Sequence, residues 1–154
     1  MTVLVLALLI GVVAGLRTLT PLAVVSWAAR LGWVPLQSSL LAFLGFAATP
    51  YVFTVLAIAE LIGDKLPQTP SRKAAMPFVV RIVSGALCGA ALGTASQSSI
   101  ASLIAGALGA VAGTLGGYEF RARLVKAIGG RDLPIALLED AIAIIAAVLI
   151  TVSS

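Results

Sequence analysis

Long apolar runs separated by short polar segments dominate the chain. The first run covers Val3 to Ala28 and contains Gly15, Arg17 and Pro21, so a helix broken near Gly15–Pro21 is predicted. "RLGWVPLQSS" follows as a loop. The second run spans Leu40 to Ile62 with Pro50 inside it, and "GDKLPQTPSRKAAMP" is the clearest loop of the chain. The third spans Phe78 to Gly93, and "TASQSS" connects it to a fourth from Ile100 to Tyr118. "RARLVKAIGGRD" then leads to a last run from Leu133 to Val152. Runs near 20 residues match the thickness of a bilayer core. The pattern predicts an all-α, polytopic membrane bundle of about five transmembrane helices, one domain over residues 1–154.

Composition supports this reading. Of 154 residues, 60% are hydrophobic and only 10% charged, with a mean hydropathy of +1.14. Soluble domains carry about a quarter charged residues. The start of the chain lacks a basic n-region, so it reads as a first span rather than a cleaved leader. Histidine is absent and Cys88 is the sole cysteine, which removes intrachain disulfides, thiolate metal sites and His-based nucleophilic chemistry. No cofactor is expected, and the sequence names no metal.

The net charge of +4 comes from two basic clusters between apolar runs, where lipid headgroups lie, and no aromatic-basic interleaving suggests nucleic acid. With five spans, Lys65, Arg72, Lys73, Arg121, Arg123, Lys126 and Arg131 share one face, against Arg30 on the other. The positive-inside rule then places the N-terminus in the cytoplasm. "GVVAG" at Gly11–Gly15 recurs as "GAVAG" at Gly109–Gly113, a weak sign of an inverted repeat.

Glycines recur at helical spacing. Gly85, Gly89 and Gly93 in the third span, and Gly109 and Gly113 in the fourth, form smooth faces that let backbones approach. These are candidate helix-packing residues, either within the chain or at the seam of a homo-oligomer, with a dimer favoured.

Charges inside such runs need a reason, since each costs about 2.5–3.5 kcal/mol at a helix centre. Arg17 is the deepest. Glu60 and Asp64 stack four apart, Arg81 begins the third span, Glu119 ends the fourth, and Glu139 and Asp140 lie two turns into the last. Lys65 and Arg123 are expected to snorkel to the interface. Counting Glu60, Asp64, Glu119, Glu139 and Asp140 against Arg17 and Arg81 leaves an acidic excess of about three, which protons, cations or water would have to meet.

Three segments, "AGLRTLTPLAVVSWAARLG", "AELIGDKLPQTPSR" and "LPIALLEDAIAI", together resemble a family of small bacterial membrane proteins known as domain of unknown function 4126. The family pattern maps onto Gly15, Leu16 and Arg17, then Glu60, Asp64, Lys65 and Pro67, then Glu139 and Asp140. The resemblance implies the architecture and a multi-pass place in a bacterial cytoplasmic membrane, and no activity.

The leading functional expectation is a transporter or channel for a small cation or other small solute, proton-coupled in one version. Arg17, Glu60, Asp64, Arg81, Glu119, Glu139 and Asp140 are the candidate ion- or substrate-binding residues, with Arg17 as counter-charge. No catalytic residue is assigned. A non-catalytic module that packs against a membrane partner is the alternative, followed by a metal-dependent lipid-modifying enzyme, for which no dense Asp-rich motif is present.

Overall fold

The computed structural model describes residues 2–68, 71 and 73–154. Arg72, one of the basic residues counted above, lies outside the described residues, as do Thr69 and Pro70 of the long loop. Among the described residues the chain forms six α-helices and one short 3₁₀ turn, with no strand. These are α1 (Val3–Leu16), α2 (Leu19–Arg30), α3 (Thr49–Gly63), α4 (Ala75–Gly93), α5 (Ser99–Ala127) and α6 (Leu133–Val152), with the 3₁₀ turn at Ala42–Gly45. Three of them, α4, α5 and α6, are long and apolar enough to cross a membrane. Large apolar side chains are exposed along α3 and α6, as a lipid-facing surface requires.

The predicted boundaries shift for identifiable reasons. The first run is two helices, because Arg17 adopts an extended conformation (φ −139°, ψ 116°). Pro21 sits in the first turn of α2, where its missing N–H deprives no intrahelical bond. Pro50 does not lie inside a span from Leu40; it starts α3. At 15 residues that helix is about 22 Å long, short of a bilayer core of about 30 Å. "RARLVK", expected as loop, continues α5 to Ala127, because it contains no proline or glycine before Gly129 and Gly130, both at positive φ.

Glycine contacts fix the directions of three helices. A Cβ on Gly85 would come within 2.6 Å of the Gly106 carbonyl oxygen, and one on Gly93 within 2.5 Å of Ser102 Oγ, with Gly89 against Ser102 and Gly106 between them. Thus α4 and α5 are antiparallel. Gly11 faces Gly106 and Gly15 faces Ala110, while Gly109 and Gly113 face Leu8 and Val12, so α1 and α5 are parallel. All five candidate packing glycines are consumed inside the chain. The two similar strings, "GVVAG" and "GAVAG", lie side by side in parallel, the reverse of what an inverted repeat predicts.

The remaining elements close around this trio. Thr18 meets Glu60, Trp27 Nε1 donates to Thr54 Oγ1 at 2.9 Å, and Ala29 lies by Gly45, so α2 runs antiparallel to α3. Both α1 and α2 lead away from Arg17 into one apolar cluster. Leu6, Ile10 and Val13 of α1 and Leu22, Val25 and Ala28 of α2 join Cys88, Ala91 and Leu92 of α4 and Ala143 and Ala147 of α6. The latter residues all lie beyond Arg81 and Asp140 along their helices. The first two helices are therefore a hairpin with its tip at Arg17 and Thr18, not a kinked single pass. The start of α1 accordingly lies at the end opposite Arg121, Arg123 and Lys126, where the five-pass count placed it beside them.

Candidate functional site

A break in a helix exposes carbonyls on one side and amides on the other, and inside an apolar bundle each needs a partner. At the hairpin tip both ends are capped by charged side chains. The Arg81 guanidinium, buried on α4, donates through Nη1 to the carbonyls of Gly15 (2.7 Å) and Leu16 (3.0 Å). The Glu60 carboxylate of α3 accepts from the backbone N–H of Thr18 (Oε1, 2.7 Å) and of Leu19 (Oε2, 2.8 Å). A cation at the C-terminal end of α1 and an anion at the N-terminal end of α2 both complement the helix dipoles. Ser84 Oγ donates to the Thr18 carbonyl at 2.6 Å, and Thr114 Oγ1 to that of Gly15 at 3.3 Å.

The Arg17 side chain leaves the tip on the other side. It is fully buried, with Nη1 on Asp64 Oδ2 and Nη2 facing Asp140 Oδ1. Lys65 Nζ completes the set at 2.5 Å from Asp140 Oδ2, and also donates to the Leu61 carbonyl at 2.7 Å. Charges alternate along Asp64, Arg17, Asp140 and Lys65, so the set is neutral. Asp140 lies seven residues into α6, about 10 Å from its start, which puts the tip inside the bundle.

Outside the tip the pairing continues. Arg121 forms a fork with Asp132 (Nε 2.8 Å, Nη2 2.6 Å) and reaches Glu139 at 3.4 Å. Lys73 lies 3.7 Å from Glu119, both well exposed, and 4.1 Å from the centre of the Tyr118 ring. Of the seven candidate residues, the structure gathers Arg17, Glu60, Asp64, Arg81 and Asp140 at the tip. Glu139, although adjacent to Asp140, turns toward Arg121, and Glu119 sits at the surface. The acidic excess of three does not survive. Lys65, assigned to the interface by its neighbours in sequence, turns inward, and Arg121, assigned to a loop, pairs with Asp132 and also reaches Glu139. Arg121 was legible in principle: it continues the Gly113–Gly117 face of α5 at four-residue spacing. Ser84, one turn after Arg81, carries a similar signal.

Beneath the tip opens a cavity of about 670 Å³, bordered by Thr18, Glu60, Asp64, Arg81, Tyr118 and Arg121 among others. A second, apolar crevice of about 130 Å³ lies between α5 and α6, with Arg121 and Glu139 at its edge. No three His, Cys, Asp or Glu side chains among the described residues are placed to hold a metal ion.

The profile of a family described as domain of unknown function DUF4126 matches residues 4–153. The chain belongs to this family. No curated protein and no solved structure matches it. The three segments that carry the DUF4126 resemblance are those that meet at the tip: Arg17 from the first, Glu60, Asp64 and Lys65 from the second, Asp140 from the third.

Proposed function

We propose that this DUF4126 protein is a small cation transporter of a bacterial cytoplasmic membrane, with the α1–α2 hairpin as its gate. The basic end, carrying Lys65, Lys73, Arg121, Arg123 and Lys126, faces the cytoplasm by the positive-inside rule. In this arrangement α4 to α6 cross the bilayer, α3 and the segment after it bring the chain from the outer side to the basic end, the hairpin enters from the outer side, and both chain ends lie outside. At 14 and 12 residues, α1 and α2 are about 21 and 18 Å long, the reach of a re-entrant pair. Any dimer would use surfaces other than the glycine faces, which are already occupied.

One observation carries the reading: the alternating set Asp64–Arg17–Asp140–Lys65, built around the fully buried Arg17, holds the hairpin tip directly above an open, charged cavity. Irregular backbone at membrane depth and discontinuous helices characterise transport sites. A cation entering the cavity competes with Arg17 for Asp64, and a proton on either aspartate weakens the same hold. Either event favours a released tip over the held one, which is the differential interaction that gating needs.

A non-catalytic packing module is the second reading, favoured by the roles of Glu60 and Arg81 as caps. Sealed liposomes containing purified protein separate the two. Flux of monovalent and divalent cations, with and without a pH gradient, is compared for wild type, Asp64→Asn and Asp140→Asn. Selective flux in wild type that both folded variants lose is the expected result. An absence of flux for every cation, with the protein shown to be folded and inserted, overturns the transport reading and leaves the packing module.

A further inference from the structure

The geometry points to an organic ammonium ion with an apolar body as the ligand of the 670 Å³ cavity, its head shared between the Asp64 carboxylate and the face of Tyr118. This deepens the transport reading above and rests on it for the sign of the charge.

Size is the first argument. A hard inorganic cation is held by six or more converging oxygens in a shell a few ångströms across. No three Asp, Glu, His or Cys side chains among the described residues come together to hold such an ion, and a cavity of this volume falls within the range of sites for drug-sized organic molecules. Its walls are mixed in the manner such a ligand needs. Leu66, Pro77 and Val125 offer apolar surface, and Asp64 and Tyr118 offer a carboxylate and an aromatic face.

The chemistry of the seats is the second argument. Asp64 binds Arg17 through Oδ2, and among the described residues its Oδ1 has no hydrogen bond; the side chain is 17% exposed. Tyr118 already receives an ammonium: Lys73 Nζ stands 4.1 Å from its ring centre. That lysine is 44% exposed and its carboxylate contact, Glu119, is 57% exposed, so solvent can replace both interactions and an incoming head can displace it. A second lysine ammonium, that of Lys65, occupies Asp140 nearby. The chain thus fills the aromatic seat with an ammonium group, while the carboxylate seat is held on one oxygen by the Arg17 guanidinium. Two cations stand on the cavity wall, and both are engaged: Arg121 is tied by a two-bond fork to Asp132, and Arg81 donates to the Gly15 and Leu16 carbonyls.

The test is calorimetric titration of the full chain in lipid nanodiscs with benzyltrimethylammonium, with benzyl alcohol as the neutral counterpart and potassium and magnesium chloride as inorganic ones. Saturable binding of benzyltrimethylammonium alone is expected. Tyr118→Leu should weaken it by about two- to thirty-fold, the span of cation–π contributions, and Tyr118→Phe should restore it. Tyr118 is on the rim of the bundle, so both variants keep the fold, and Asp64→Asn gives an independent check. No saturable binding at millimolar concentration, or binding indifferent to Tyr118→Leu and Asp64→Asn alike, overturns the inference. Inorganic cation flux without ammonium binding would remove this ligand and leave the transport reading standing. Ammonium binding without flux of any cation would do the reverse.

Discussion

Replacing Arg17 with leucine would remove the one direct ion pair that Asp64 makes among the described residues, while Asp140 kept Lys65. Removing one partner of a buried pair costs about 3–5 kcal/mol, mostly because the other charge stays behind. Arg17→Leu is therefore expected to lower unfolding stability in detergent by that amount. Adding Asp64→Asn to it should recover at least about 1 kcal/mol, since the stranded charge is then gone. A double variant no more stable than Arg17→Leu would mean that the pair is not coupled. At this scale the sequence was partly transparent. A guanidinium in an apolar run announces a need for carboxylates, and Asp64 and Asp140 were among the candidates. What the residues could not announce was the division of labour. Glu60 and Arg81 look like members of the same charge set, yet they serve backbone atoms that only a broken helix exposes.

Between elements, the decisive contacts are glycine against backbone. Gly85→Ala would press a methyl group to 2.6 Å from the Gly106 carbonyl oxygen and 2.8 Å from Ala110 Cβ, forcing α4 and α5 apart. Overpacking of this kind costs about 1–3 kcal/mol. Gly116→Ala on α5 meets nothing within 4 Å, so it should be neutral or stabilise by up to about 1 kcal/mol through helix propensity. Thermal unfolding of the two variants side by side checks the pair of expectations, and equal effects would contradict the packing. Glycine spacing made the faces readable in advance. It could not say which helix each face met, because a smooth stripe on α5 fits α1, α4 or a second copy equally well until the directions of the helices are known.

For the whole molecule, the hairpin changes the topology. Both chain ends lie opposite the basic end of α5 if α1 and α2 turn back at Arg17, whereas a five-pass chain would separate them. Single cysteines introduced at Thr2, Ser154 and Arg131, with the buried Cys88 as a silent background, distinguish these arrangements with a membrane-impermeant thiol reagent. Thr2→Cys and Ser154→Cys should label from one side of the membrane and Arg131→Cys only from the other. Labelling of the two ends from opposite sides would restore the single pass. Hydropathy could not decide the matter. A 26-residue apolar run with a break is equally long whether the chain continues or reverses, and the reversal is written in contacts between distant segments.

The hairpin tip also sets an order on how the protein can be made. Its partners are supplied late: Glu60 comes 41 residues after Leu19, Asp64 comes 47 after Arg17, and Asp140 belongs to the last helix. A nascent chain thus presents a charged, uncapped turn to the insertion machinery well before anything can neutralise it. Until α3 emerges, Arg17 is best solvated at the headgroup layer, and only the arrival of α6 completes its surroundings. In the membrane placement proposed above, the first helices would be parked at the membrane surface and drawn inward by the last.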